Sequence, residues 1–176
     1  MDSLVCEITL NSVLPSELRA KYQDPDTIRM VLRRARTIAI VGLSTDRYKA
    51  SNMVAAYLQY EGYRVIPINP SATEILGERC YPDLLSVPYP IDVVDVFRPA
   101  REAVGIVEQA IQKGAWCVWF QLRIVNLQAA ELAEKSGLTV VIDRCIKMEH
   151  GRYGGGLHWL GMNTEIISAR RMRRMF

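Results

Sequence analysis

The sequence predicts an α/β protein built on a doubly wound, five-stranded parallel sheet with helices on both faces. Three observations carry this. Short apolar runs recur at Thr37–Val41, Arg64–Asn69, Ile91–Phe97, Ala115–Phe120 and Leu138–Ile142, the lengths and β-branched character of buried strands. Most of the intervening segments place apolar residues at helical spacing. Glycines then close those segments at Gly62, Gly114 and Gly137, where a left-handed residue ends a helix at little cost. Strand–helix alternation implies parallel strands and right-handed crossovers, and the expected strand order is 3-2-1-4-5.

Each element has its own warrant. Asp26 stands where it would cap a first helix whose Ile28, Val31, Leu32 and Ala35 share a face. Thr37–Val41 stops at Gly42, and a helix with Ala50, Met53, Val54, Tyr57 and Leu58 on one stripe follows. Strand, tight turn, helix and strand form one βαβ unit, which sets free helix amides beside Gly42. Such amides and the helix dipole favour phosphate. Thr73–Pro90 is rich in proline and turn residues, with room for a short helix near Asp83–Ser86. Pro99 suits the first turn of the next helix, which is expected to bury Val104, Val107, Ala110 and Ile111. Asn126 opens another helix, and a last one runs from Asp143, in a capping position, to Glu149.

The βαβ unit is Rossmann-like, yet its turn departs from the dinucleotide fingerprint. That fingerprint wants Gly-x-Gly-x-x-Gly and an acid near the end of the second strand, to grip a ribose hydroxyl. Here the equivalents are Gly42, Ser44 and Arg47, and the second strand ends in Asn69-Pro70. A ligand with more phosphate than NAD, and no ribose diol read by a carboxylate, fits better. The alternative is a turn that holds no ligand.

The blocks IAIVGLS, YRVIPINP, ILGERCYPDL, IDVVDVFR, VWFQL and VVIDRCIKMEH together resemble the small stand-alone coenzyme A-binding proteins, whose fold also forms the CoA-binding domain of the succinyl-CoA synthetase α subunit. The resemblance runs from about Thr27 to about Gly151, with the blocks in order. It implies coenzyme A, or a short acyl-CoA, as the ligand. It also marks a departure, because Arg123 stands where the family usually has a small residue. Ligation chemistry in that synthetase needs a phosphorylated histidine on a second domain, so acyl-CoA ligation by this polypeptide alone is not expected.

In open parallel sheets ligands lie across the carboxyl ends of the strands where strand order reverses, here expected between the first and fourth strands. Gly42, Leu43 and Ser44 then offer amides and a hydroxyl to a pyrophosphate. Arg47 and Lys49 add charge, including for the 3′-phosphate of CoA. Asn69 and Pro70 form a wall, and Val96 and Phe97 pack on the adenine. Arg98 stacks on the base or binds phosphate. Gln121 and Leu122 line the pantetheine arm, and Asp143 and Cys145 follow the last strand. Some have plainer roles available: Pro70 as a strand end, Arg98 and Lys49 as solvated residues at helix starts.

Composition bounds the rest. At 176 residues, 49% apolar and 23% charged, the chain is expected to be one soluble domain. Its organisation is read as an N-terminal extension over 1–24, the CoA-binding Rossmann-like domain over 25–151 and a basic extension over 152–176. No apolar run approaches the ~20 residues of a membrane span, and Asp2 and Glu7 spoil a signal peptide. Four cysteines without C-x-x-C pairing suggest reduced thiols and a cytoplasmic location. The net charge of +3 is more than accounted for by Arg170, Arg171, Arg173 and Arg174. The body therefore has no basic character, which argues against nucleic acid and leaves a homodimer or a protein partner through the C-terminal tail open.

Catalytic patterns are scarce. His150 and His158 show no metal-ligand spacing, and no metal site is expected. The leading expectation is a non-catalytic carrier, sensor or accessory protein that binds coenzyme A or a short acyl-CoA. The alternative is an enzyme, either an NAD(P)-linked oxidoreductase or a thiol/CoA-disulfide enzyme using Cys145. A thiol in the first turn of a helix, with Arg144 and Lys147 close by, would have a stabilised thiolate; a buried, inert cysteine is the competing role.

Overall fold

The computed structural model describes residues 14–154. Two helices, α1 (Ser16–Tyr22) and α2 (Pro25–Arg34), precede β1 (Thr37–Val41), α3 (Ala50–Tyr60) and β2 (Arg64–Ile68). A small hairpin, β3 (Glu74–Ile75) and β4 (Glu78–Arg79), leads to β5 (Val93–Val96). A 3₁₀ turn (Ala100–Glu102), α4 (Ala103–Lys113), β6 (Cys117–Phe120), α5 (Leu127–Lys135), β7 (Thr139–Val141) and α6 (Ile146–Tyr153) complete the order. The five sheet strands are parallel, as expected.

Strand residues alternate between two cores, as the two-residue period of a strand requires. On one face Ile38, Ile40, Val93, Cys117 and Trp119 pack with Ile28, Val31 and Leu32 of α2, Val54, Ala55 and Leu58 of α3, and Ile146 of α6. On the other, Ala39, Val41, Val94, Val96, Val118 and Phe120 pack with Tyr22 of α1, Ala103, Ile106, Val107 and Ala110 of α4, and Ala129, Ala130 and Ala133 of α5. Both faces are covered, so the sheet is doubly wound.

The strand order is β2-β1-β5-β6-β7. Counted over the five sheet strands this is 2-1-3-4-5, which corrects the expected 3-2-1-4-5. Two sets of contacts explain it. The outer edge of β2, where the third strand was expected, is taken by the loop after β4: Tyr81 N donates to Pro67 O at 3.0 Å and Asn69 N to Tyr81 O at 2.9 Å. Meanwhile Asp92 ties the start of β5 to the start of β1. Its Oδ2 accepts from Arg36 N at 2.8 Å and Thr37 N at 2.9 Å, and its own amide donates to Thr37 Oγ1 at 2.9 Å. Val93–Val96 is buried at every position, which suits a strand with neighbours on both sides.

Several local expectations change. The cap of α2 is Asp24, not Asp26: Asp24 Oδ2 accepts from Thr27 N and Thr27 Oγ1, both at 2.8 Å, because Pro25 starts the helix two residues earlier. Those bonds lower the Asp24 carboxyl pKa, whereas Asp26 only pairs with Arg29 on the surface. Residues 14–23, within the expected N-terminal extension, pack onto the sheet. Leu14 and Tyr22 join the core, and Gln23 Nε2 donates to Ile142 O at 3.0 Å. On α3, Met53 faces solvent while Ser51 and Asn52 turn inward. Asp83–Ser86 is a turn, with Asp83 Oδ1 accepting from Ser86 N at 2.8 Å. The tail beyond Gly154, with the partner expected there, lies outside the described residues. No helix among the described residues is long and apolar enough to cross a membrane.

The capping correction is open to measurement. Asp24→Ala should cost about 1 kcal/mol in urea unfolding, and Asp26→Ala no more than about 0.5 kcal/mol. Equal losses would return the cap to Asp26.

Candidate functional site

Strand order reverses between β1 and β5, not between the first and fourth strands, so the switch point lies between Val41 and Val96. This brings Gly42 beside Phe97 and Arg98. Gly42 has φ +89°, a backbone region that costs glycine least. A Cβ there would stand 2.8 Å from Arg98 Cδ, 3.3 Å from Arg98 Cγ and 3.4 Å from the Phe97 carbonyl carbon. The glycine is thus required by the turn and by the Arg98 stem lying across it.

The turn itself is longer than a dinucleotide turn, since α3 begins only at Ala50 with Lys49 in the cap position. Two of the three amides expected to face a phosphate are committed within the protein. Gly42 N donates to Ile68 O at 3.0 Å, and Ser44 N donates to Ser51 Oγ at 3.1 Å. Ser44 O accepts from Asn52 Nδ2 at 2.8 Å and Ser44 Oγ from Asp46 N at 3.1 Å, so the Ser44 hydroxyl keeps its own proton to donate outward. Leu43 is fully buried and anchors the loop in the core. Arg47 and Lys49 are exposed, with the Arg47 guanidinium over the Tyr48 ring at 5.2 Å.

Asn69 is a brace. Its Nδ2 donates to Leu43 O and its Oδ1 accepts from Ser71 N, both at 2.8 Å, so its amide holds the β1 turn against the end of β2 and has little left for a ligand. Pro70 is exposed beside it. Val96 points into the α4–α5 core with no exposed surface; it cannot face an adenine on the other side, and that expectation is corrected. Phe97 is half-buried at the switch point. Arg98 is neither stacked nor free: its Nε and Nη2 form a two-pronged pair with Glu102 at 2.7 and 3.0 Å. The pair lowers the Glu102 carboxyl pKa.

Across the switch point, Gln121 is buried and Leu122 exposed at the end of β6. Gln121 Nε2 donates to Asp95 Oδ1 at 2.8 Å, inside the protein. Asp95 has no exposed surface, and burial pushes its carboxyl up to about 8. Gln121–Ile124 is a tight turn closed by Ile124 N on Gln121 O at 3.0 Å. Arg123 occupies its left-handed position at φ +63°, a backbone conformation that favours glycine over a residue with a side chain. Its side chain is exposed and its amide donates to Asp143 Oδ1 at 2.7 Å. Asp143 therefore supports this turn, and the cap position of α6 falls to Cys145. Cys145 is half-buried, and burial pushes its thiol up against the smaller pull of the Met148 and Lys147 amides. An activated thiolate is not what this environment makes.

Ser51, Asn52, Asp95 and Glu102 were not singled out from the sequence. An acid inside the apolar run Val93–Phe97 is a readable signal of a buried polar group. Ser51 and Asn52 lie in a first helical turn, where polar residues are too common to stand out.

Residues 36–151 match the family of the CoA binding domain. The chain belongs to that family. A stretch of 123 residues is 37% identical to the uncharacterized protein YneT of Bacillus subtilis, covering 70% of this chain and 91% of YneT. A hypothetical protein of Pyrococcus horikoshii superposes with a TM-score of 0.72 at 43% identity, over 73% of this chain and 91% of that one. The ADP-forming acetate–CoA ligase I of Archaeoglobus fulgidus is 28% identical over 123 residues, 64% of this chain but only 18% of the ligase. Every strand end described above falls inside the CoA-binding domain.

Two outcomes follow for this CoA-binding domain. Gly42→Ala should cost about 1–3 kcal/mol in chemical unfolding, with part of the loss recovered in an Arg98→Ala background; an unchanged stability would contradict the left-handed turn. The second concerns Asp95, whose folded pKa lies above the ordinary carboxylate value. Its contribution to stability is full below about pH 4 and declines as pH rises to about 8, because only the unfolded state ionises freely over that window. Thermal melts of Asp95→Asn against wild type should diverge in favour of the variant over the same range and run parallel above it. A difference independent of pH would show that Asp95 is ionised throughout.

Proposed function

We propose that the chain binds coenzyme A or a short acyl-CoA across the carboxyl ends of β1, β5 and β6, as a carrier, sensor or accessory protein. The observation that carries this reading is that the matched stretch 36–151 contains the Gly42 turn, set at the sheet's reversal point. Ligands of open parallel sheets lie there. The residues present suit a phosphate-rich nucleotide. The Leu43 amide and the Ser44 hydroxyl are left to a pyrophosphate, Arg47 and Lys49 are exposed cations, and β2 ends in an amide rather than a carboxylate for a ribose diol. Phe97 offers a ring edge, while Gln121 and Leu122 stand along the path of a pantetheine arm. Pro70 lends a wall without a hydrogen-bond demand.

Arg98 enters this reading in a changed role. It reaches a ligand phosphate only by sharing or leaving Glu102, so Glu102 competes with the ligand for it. Glu102→Gln should therefore tighten CoA by about 3–10-fold, while Arg98→Ala weakens it. Calorimetric titration with CoA, acetyl-CoA, NADH and ATP tests the whole reading, and tighter binding of NADH than of CoA would overturn it. Arg47→Ala or Lys49→Ala should weaken CoA by about 1.5–3 kcal/mol, and dephospho-CoA less, where either meets the 3′-phosphate. Equal losses for the two ligands would move these cations to the pyrophosphate.

A further inference from the structure

Beneath the strand ends lies a polar pair that packing alone does not explain. Asp95 sits in the middle of the sheet, flanked in register by Ile40 of β1 and Trp119 of β6. It faces the α2–α3–α6 core, sharing its strand face with Val93. One oxygen accepts from Gln121 Nε2 at 2.8 Å; the other, Oδ2, is buried with no partner among the described residues. A lone acid in a dry core is costly, and an apolar residue at this position would remove the cost. Gln121 is the last link between Asp95 and the β6 end of the proposed site.

We propose that Asp95 is a positioning residue for ligand binding: by accepting from Gln121 Nε2 it turns the Gln121 carbonyl toward the strand-end groove, as an acceptor for an amide N–H of the ligand's arm. The inference rests on the coenzyme A reading, whose pantetheine arm carries two secondary amides. A primary amide has a donor end and an acceptor end. Committing the donor end to Asp95 decides which end a ligand meets.

A pH dependence comes with this arrangement. The titratable groups that face Asp95 and feel its charge are the Cys117 thiol of β6 and the Cys145 thiol ahead of α6, both pushed upward first by burial and further by Asp95. No cation contributes to the state of Asp95, which burial and the Gln121 bond determine. Its ionisation would put an unscreened negative charge under a polyanionic ligand and oppose binding.

The experiment pairs calorimetry with side-chain amide NMR of the full chain, using CoA as the probe. Asp95→Asn keeps an acceptor for Gln121 and cannot ionise. It should match wild-type affinity near pH 6.5 and escape the fall of about 5-fold or more that wild type shows toward pH 9. Asp95→Leu and Gln121→Met should each lose about 10-fold or more at every pH. In the free protein the Gln121 amide signals should shift with a midpoint near pH 8 in wild type, and stay still in Asp95→Asn. Identical pH profiles for wild type and Asp95→Asn, unchanged binding by a folded Asp95→Leu protein, or a Gln121 amide that does not titrate would each overturn the proposal. If wild type binds no CoA near pH 6.5, the coenzyme A reading falls by itself, and the Gln121 signals decide whether Asp95 sets that amide.

Discussion

The pairing of β5 beside β1 is the interaction on which the rest of this molecule depends. It is held at its start by Asp92, whose carboxylate takes the Arg36 and Thr37 amides while its own amide meets the Thr37 hydroxyl. The register that follows matches Ile38 with Val93 and Val41 with Val96. Parallel strands so aligned end side by side, and the residues beyond them meet. Gly42 and Arg98 come together for this reason, although 55 positions separate Asp92 from Thr37 along the chain.

Much of the hydrogen-bonding capacity at the strand ends is spent on the protein itself. Asn69 holds the Leu43 carbonyl, Ser51 and Asn52 hold Ser44, and Asp143 holds the Arg123 amide. Each of these bonds fixes a short irregular segment that would otherwise have to be ordered by a ligand. The same economy reduces the number of groups left to recognise one. The remaining functionality at the proposed site is the Leu43 amide, the Ser44 hydroxyl, a few cations and the acceptor end of Gln121. Arg98 illustrates the trade: Glu102 keeps its guanidinium in a fixed pose and must be outcompeted before that charge serves anything else.

Cys145 and Asp95 show how position overrides local sequence. Cys145 stands at the start of a helix, where dipole and amides favour a thiolate, yet its burial outweighs them. Desolvation scales with how much water is removed from the charged form, and the packing of the α6 start against the sheet removes enough of it at Cys145 to decide the direction. Asp95, with no exposed surface, shows the same effect on a carboxyl.

Local chemistry determined the strands, most of the helices and the glycine turn, because apolar periodicity and backbone-permissive residues act within a few positions. It also located the strand ends, which is why Gly42, Leu43, Ser44, Phe97, Arg98, Gln121 and Leu122 all lie at the sheet's carboxyl edge. The strand order was decided by tertiary structure, since the loop around Tyr81 covers one edge of β2 and Asp92 recruits β5 to the other side of β1. So were the direction of Val96, the bracing role of Asn69 and the partner of Arg98. Each depends on what a distant segment brings alongside. A one-residue change of parity sends Val96 into one core and Asp95 into the other, and no local signal states which residue enters which core.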